Sequence, residues 1–453
     1  MQVTETQSDG LRREFRVIVP INELAGRVGE RLGEIKDRVR INGFRPGKVP
    51  VAHLKRVYGR AAMAEVIEIA VREANAQIVS DNKFRLAMEP QVTIPNEESA
   101  VEDVIAGKSD LAYTVAMEIL PPIPLADFKS IKLQKLVADI DDNEIEESLQ
   151  KIAEQNRPFA AKSEGSKAEK GDRVILSFVG KIDDEAFEGG SGENIAVNLG
   201  SGSFVPGFED QLAGIAAGET RVVNVTFPPN YMSEKLAGKP AIFDVTATSI
   251  ETPQPVVIDD AFAKSLGLES LDKLKDAVRE RLKAEHDIVT RRRLKRALLD
   301  ILDERHKFEI SPSLLEGEFE NLWKTMTSEL QQQGKTFADE DTTEEKAREE
   351  YRKIADRRVR LGLVLAEIGD KNNIKVTDEE VNRALVEQLR QFPRQQQEQL
   401  YDMYRKNPNA LAGLRAPIFE DKVVDYVFEL AQVTEKKVPR AELYREDEEA
   451  PAA

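Results

Sequence analysis

Ile41-Asn42-Gly43-Phe44-Arg45-Pro46-Gly47-Lys48-Val49-Pro50 sets one large aromatic and two cations among two glycines and two prolines. Glycine lets the backbone turn at positive φ, while Pro46 and Pro50 fix φ and forbid helix. The expected result is a stiff, exposed loop displaying Phe44, Arg45 and Lys48. An exposed Phe beside an Arg is costly in water and useful for docking. Taken alone, a Gly/Pro/Arg loop of this kind is more often an ordinary helix–helix turn.

The flanks give the loop its setting. Phe15, Val17 and Val19 read as a strand ended by Pro20. Asn22 can cap a helix whose Leu24, Val28, Leu32, Ile35 and Val39 share one face, and a second helical stretch runs from Val51 to Ser80. Strand patterns return at Phe84–Ile94 and Leu111–Ile119, separated by turn chemistry at Gly107-Lys108-Ser109-Asp110. Helices enclosed by strands suit a small sheet with helices on one face. From Arg27 to Arg60 ten Lys/Arg face three acids, although the whole chain carries −17. That balance argues against general nucleic-acid affinity. It fits either a solvated helix face or a molecule that approaches a polyanion with one end only.

A chain of 453 residues holds about three domains on the usual ~150-residue prior. With 41% hydrophobic and 32% charged residues it is globular rather than disordered. The start, Met1-Gln2-Val3-Thr4-Glu5-Thr6, has no basic n-region and no apolar h-region, and no apolar run nears the ~20 residues that span a bilayer. A cytoplasmic protein without a membrane partner is expected. The absence of cysteine excludes disulfides, zinc–thiolate sites and cysteine catalysis, and it fits a reducing compartment.

Pro121-Pro122-Ile123-Pro124 marks a boundary, followed by a connecting strand (Ile131–Val137) and a helix (Asn143–Asn156). From Lys170 to Thr252 short alternating strands and many glycines indicate a compact, mainly antiparallel β domain, closed by Pro253 and Pro255. Beyond it six helices are expected: Leu271–His306, Ser313–Gln333, Thr343–Lys371, Thr377–Gln391, Pro393–Arg405 and Pro408–Thr434. Ser311 before Pro312 reads as an N-cap with proline at N1, and Thr377-x-x-Glu380 and Thr342-x-x-Glu345 as capping boxes. His53, His286 and His306 share no metal spacing; His53 fits the basic face and the other two solvated helix positions. Gly200-x-Gly202 with Gly207 lacks both the spacing and the βαβ setting of a dinucleotide loop.

Two resemblances join these pieces. Gly43-Phe44-Arg45-Pro46-Gly47-Lys48-Val49-Pro50 fills every fixed position of the ribosome-docking signature of bacterial trigger factors, Gly-Phe-Arg-x-Gly-x-x-Pro. The resemblance implies that Gly43, Phe44, Arg45, Gly47 and Lys48 dock the chain to ribosomal protein and rRNA. Many relatives carry Lys where this chain has Pro46, which removes one cation. The second is carried by Val174–Lys181, Phe187-Glu188-Gly189-Gly190, Leu199–Glu209, Phe227-Pro228-Pro229-Asn230-Tyr231 and Ala241–Val245. Together they resemble an FKBP-type prolyl isomerase, implying a half-barrel sheet wrapped on a helix with a pocket for an X-Pro segment. The matching pocket positions are Phe178, Phe187, Glu188, Val205, Phe208, Tyr231 and Phe243. Stand-alone members usually have Trp at the pocket floor; Phe208 in that place agrees with trigger factors. Met232 departs from many relatives.

The resemblance to trigger factors covers nearly the whole chain and implies a multidomain α+β protein. The expected parts are an α+β ribosome-docking domain (1–120), a linker and connecting helix (121–168), an FKBP-like antiparallel half-barrel (169–252), an all-α chaperone cradle (253–440) and an acidic frayed tail (441–453). It implies a chaperone that meets nascent and unfolded polypeptides at the exit tunnel and isomerises X-Pro bonds with no cofactor and no metal. Whether unbound molecules form a homodimer stays open. In the helical part an ordinary bundle competes with an open cradle, for which Leu314, Leu315, Phe319, Leu322, Trp323 and Met326 offer one lining and Ile354, Val359, Leu361, Leu363, Val364 and Leu365 another, with Met403 as an adaptable contact. The rivals are a free prolyl isomerase, a secreted chaperone and an RNA-binding factor.

Overall fold

A computed structural model describes residues 1–38, 44, 49–94, 98–163, 165–183, 185–228, 231, 233, 236–340 and 342–445. They form two compact units, the first built from 1–134 and 293–434, the second from 135–292 and the segment after 434.

The first unit opens with strands β1 (Gln2–Asp9) and β2 (Arg12–Val19). Helices α1 (Ile21–Arg38) and α2 (Val51–Asn82) follow, then β3 (Gln91–Thr93), α3 (Glu98–Ile105) and β4 (Leu111–Glu118). The sheet is antiparallel in the order β1-β2-β4-β3. Its core has a simple cause: Leu111, Tyr113, Val115 and Met117 alternate on β4 with partly exposed residues, and they pack with Phe15, Val17 and Val19 against one face of α1 and α2. Asn22 does not cap α1. The helix begins one residue earlier, and Asp110 from the turn before β4 accepts the Ile21 N–H at 2.7 Å. Strand β1 is exposed along its whole length, so no alternation betrayed it in the sequence. The expected strand at Phe84–Ile94 shrinks to β3 and a bridge between Leu86 and Ile119.

The second unit begins inside β5 (Lys132–Val137) and continues with α4 (Asp142–Gln155). Its half-barrel contains β6 (Phe159–Ala161), β7 (Arg173–Ile182), β8 (Glu185–Asn198), the short α5 (Phe208–Leu212), β9 (Thr220–Thr226) and β10 (Pro240–Pro253). All pairings are antiparallel, ordered β6-β10-β7-β8 with β9 on the other side of β10's N-terminal half. Val174, Leu176, Val223, Val225, Val245 and Ala247 bury one sheet face against Phe208 and Leu212 of α5. Helix α6 (Asp260–Ser265) and the start of α7 (Leu271–Arg305) pack on α4 through Phe262, Leu274, Val278, Leu282, Ile145 and Leu149.

The remaining helices are α8 (Pro312–Gln333), α9 (Glu344–Lys371), α10 (Asp378–Leu389), α11 (Arg394–Lys406) and α12 (Pro408–Leu430), then β11 (Gln432–Lys437) and α13 (Arg440–Tyr444). The later part of α7 packs with α9, α12 and residues 123–133 in one core containing Leu298, Leu302, Val364, Ile368 and Val427. Two caps stand as expected: Ser311 accepts the Leu314 N–H, and Thr377 with Glu380 closes a reciprocal box. The cap of α9 is Thr343, accepting from Lys346, not Thr342. The last expected helix stops at Leu430 because the chain turns into β11, which pairs with β5. Two histidine expectations are overturned. His306 is buried, donating from Nδ1 to the Leu302 carbonyl and accepting the Ala126 N–H at Nε2. His286 is buried too, with Nε2 2.9 Å from Glu144 and Nδ1 3.3 Å from the Ala138 carbonyl. Arg440 of α13 reaches the same Glu144 carboxylate at 3.2 Å, and Leu443 is fully buried beside Val289, Val438 and Leu136.

Candidate functional site

Six of the chain's aromatics meet on the concave side of the half-barrel and continue to a seventh at its rim. Alternation on β7 points Phe178 inward, and β10 presents Phe243 beside it, their ring centroids 5.7 Å apart and edge to face. Phe208, the first residue of α5, closes the floor at 6.2 Å from Phe178 and 5.4 Å from Phe243. Phe187 from β8 joins through Phe243 at 6.1 Å, and Phe227 adjoins Phe187 at 6.0 Å. Tyr231 leans on Phe227 at 4.7 Å and keeps 40% of its surface exposed, so its hydroxyl stands at the rim. Val205 is half-buried against the same core. The Glu188 side chain lies outside the described residues. Of the seven expected pocket positions, the structure therefore gathers six.

Two rings were missed as pocket members. Phe227 links Phe187 to Tyr231, and Phe204 stacks on Phe208 at 5.2 Å and 16° while meeting Phe178 edge-on. Both lie inside the strings that matched the family, so the signal was present. Room for the rings comes from glycine. A Cβ on Gly180 would stand 2.6 Å from the Phe243 ring and 3.0 Å from Phe187, and one on Gly190 would press on Phe187 at 2.8 Å.

Glu209, next to Phe208, is buried and accepts hydrogen bonds from Gly200 N (2.8 Å), Gly202 N (3.0 Å), Ser203 N (2.9 Å), Phe204 N (3.2 Å) and Ser201 Oγ (3.0 Å). Burial alone would raise its carboxyl, but these donors, led by the Gly202 N–H, outweigh that and hold it below the usual carboxylate range. Gln211 fixes the other side of α5, donating to the Gly207 and Asn224 carbonyls and accepting from Asn224 N. A cup with these walls has the shape and dryness to take a ring such as that of proline. Rotation about X-Pro faces ~18–20 kcal/mol because twisting breaks amide resonance. A dry cup disfavours the more polar planar amide, and a rim hydroxyl can hold the twisted carbonyl, so no nucleophile is needed.

In the first unit, Phe44 is 38% exposed with its ring 5.2 Å from His53. Gly43, Arg45, Gly47 and Lys48 lie outside the described residues. The basic segment is less uniform than its count. Arg27 reaches Glu73 and Arg31 reaches Glu65, each at 2.5 Å across the α1–α2 pair. Exposed positive charge remains at Lys55 and Arg56, where Val51 and Val57 are also more than half exposed. Those valines went unnoticed because they lie within a helical pattern.

The helical part holds a second aromatic group. Trp323 stacks between Phe319 (5.9 Å) and Phe337 (5.6 Å), Tyr351 meets it edge-on, and Arg348 and Arg352 lie over Trp323 and Phe319. Leu314, Leu315, Leu322 and Met326 of the same helix as Trp323 are half-buried, and Met403 is 54% exposed. Of the other expected lining, Leu361, Val364 and Leu365 are core residues packed on α7 and α12 and Leu363 packs against that core, while Ile354 and Val359 are half-buried.

Comparison with known proteins agrees with these parts. The family described as bacterial trigger factor protein matches residues 1–152, its C-terminus description matches 270–429, and FKBP-type peptidyl-prolyl cis-trans isomerase matches 164–248. The trigger factor of Rhodopseudomonas palustris (strain BisB5) is 62% identical over 448 residues, 99% of either chain. That of Afipia carboxidovorans is 60% identical over the full length of both. A solved structure described as "Promiscuous Substrate Recognition in Folding and Assembly Activities of the Trigger Factor Chaperone" shares the fold, with TM-score 0.55 and 20% identity across 95% of this chain and 99% of that one.

Proposed function

Because the chain belongs to the bacterial trigger factor family, we propose that its two activities rest on two separate surfaces, the aromatic cup of the half-barrel and the loop around Phe44. The protein is a ribosome-associated chaperone for nascent polypeptides and a peptidyl-prolyl cis-trans isomerase. The isomerase site is the cup of Phe178, Phe187, Val205, Phe208, Tyr231 and Phe243, with Glu188 at its edge. The observation that carries this reading is the edge-to-face triangle of Phe178, Phe208 and Phe243, closed by residues far apart in sequence. Docking falls to Gly43, Phe44, Arg45, Gly47 and Lys48. Phe44 fits an apolar notch of ribosomal protein and the cations fit rRNA phosphates, which makes binding salt-dependent. The division into a docking domain (1–120), linker (121–168), isomerase (169–252), helical cradle (253–440) and tail (441–453) follows the same reading, as does a cytoplasmic location. A homodimer of unbound molecules would cover the same exposed Phe44, Val51 and Val57 and compete with the ribosome.

The test separates the surfaces. A Phe44→Ala, Arg45→Ala double variant is expected to lose ribosome co-sedimentation across a salt series while keeping wild-type turnover of a short X-Pro peptide. Phe208→Leu should lose most kcat/KM yet sediment normally; leucine avoids the cavity of a buried Phe→Ala change, which costs ~3–5 kcal/mol. Loss of both properties in either variant would show that the surfaces are not separate.

A further inference from the structure

The loop that carries Phe204 and Val205 has little reason to be rigid. Residues 200–203 are exposed, and two of the four are glycines held at φ +88° (Gly200) and +69° (Gly202). Apart from one turn bond, Ser201 N–H to the Asn198 carbonyl, and the Lys170 side chain beside Gly200, little packing fixes such a stretch, yet its end must place one ring against the pocket floor. Phe204 stacks on Phe208 and meets Phe178 edge-on.

What organises the loop is a carboxylate. Left-handed turns at alternate residues aim successive backbone N–H groups inward, which makes a concavity suited to an anion. Here the anion is the chain's own Glu209. One oxygen, Oε2, accepts from Gly200 and Gly202, and the other, Oε1, from Ser201 Oγ, Ser203 and Phe204. Ser201 Oγ also lies 3.0 Å from Ser203 Oγ and accepts from Ser203 N at 3.3 Å. Glu209 directly follows Phe208 on α5, so the floor ring and the tether of the wall ring sit on adjacent residues.

We infer that Glu209 is a positioning residue of the isomerase pocket, its carboxylate holding residues 200–204 so that Phe204 forms a fixed wall for the proline-containing segment. This rests on the assignment of the cup as the isomerase site. The wall touches ground and transition states alike, so loosening it removes uniform binding: KM rises and kcat stays. A merely structural Glu209 predicts the reverse, less folded enzyme with lower apparent kcat and an unmoved KM.

The decisive substitution is Glu209→Gln in the full-length chain. It is nearly isosteric but turns one acceptor oxygen into an NH2 facing at least two N–H donors. With a short X-Pro peptide as the probe, KM is expected to rise about tenfold, the scale of losing one or two such bonds, with kcat within about twofold. Phe204→Ala should give a similar rise, and the double variant should be no worse than Phe204→Ala alone, because Glu209 acts through that ring. An unchanged KM in Glu209→Gln, or KM effects that multiply in the double variant, overturns the assignment. Should Glu209→Gln fail to fold, Ser201→Ala removes one donor and leaves the carboxylate; a KM rise of about twofold is then expected, and none overturns the assignment. A failure of the cup itself looks different: Phe208→Leu would keep full kcat/KM.

Discussion

The molecule groups aromatic rings twice, in opposite ways. In the half-barrel, rings from β7, β8, β10 and α5 face one another edge to face, and no arginine lies over the rings around Phe178 and Phe243 among the described contacts. In the α8–α9 hairpin, Trp323 sits in a stack that arginines cover from outside. The first arrangement has a fixed shape and fits one kind of ring. The second is only partly buried at Trp323, has Met326 and Leu322 on the same helix, and is covered by long arginines that also pair with Glu344 and Glu316. A site for one bond chemistry needs the former, and a surface for many unfolded sequences needs the latter.

The contrast can be broken most sharply at Gly180. Gly180→Ala drives a methyl group into Phe243 and Phe187. Overpacking of this kind costs ~1–3 kcal/mol. Peptide isomerisation should fall by an order of magnitude or more, read as kcat/KM, while suppression of aggregation of an unfolded client stays at wild-type level. A smaller effect is expected from Trp323→Ala, where client holding should weaken about two- to fivefold and isomerisation should not change, since an adaptable surface shares its energy among many contacts. Equal losses of both activities in either variant would erase the distinction.

The smallest effect concerns pH in the helical part. Glu380 is held at about 2, first by the Lys422 ammonium and then by the Thr377 N–H. Its folded value lies below the ordinary 4.5, so its contribution is full above that value and is lost as pH falls toward about 2. Thermal melts should therefore show a wild-type decline below pH 4.5 that Glu380→Gln lacks, by about two degrees. Glu209 is likewise held below the usual carboxylate range, so the half-barrel should release its loop only at a pH lower than an ordinary carboxylate would require.

What could be read from sequence follows the same divide. The ring positions of the cup were legible only through the family resemblance, whose short strings carry them; scattered Phe residues by themselves read as ordinary core. Caps such as Ser311 and Thr377 were legible because their chemistry is local. His286 was not: its partners Glu144 and Ala138 lie 142 and 148 residues away, and nothing around it in the chain announces them. The apolar run at Leu361–Leu365 looked like an open lining because helical periodicity shows a face without saying what covers it. Strand β1 failed for the converse reason, since a strand with both faces exposed has no alternation to show.

The joining of β5 to the chain's last strand carries a consequence for how the protein itself is made. Lys135 meets Glu435 across 300 residues, and Leu443 fills a hollow walled by Leu136 and Val289. The half-barrel, from Phe159 to Pro253, is contiguous and can close as soon as it has emerged. The α4–α7 part of the same unit cannot, because its partner strand and plug follow β5 only some 300 residues later. Until then β5 has a bare edge and the hollow stands open. A protein that attends unfinished chains thus spends much of its own synthesis as one of them.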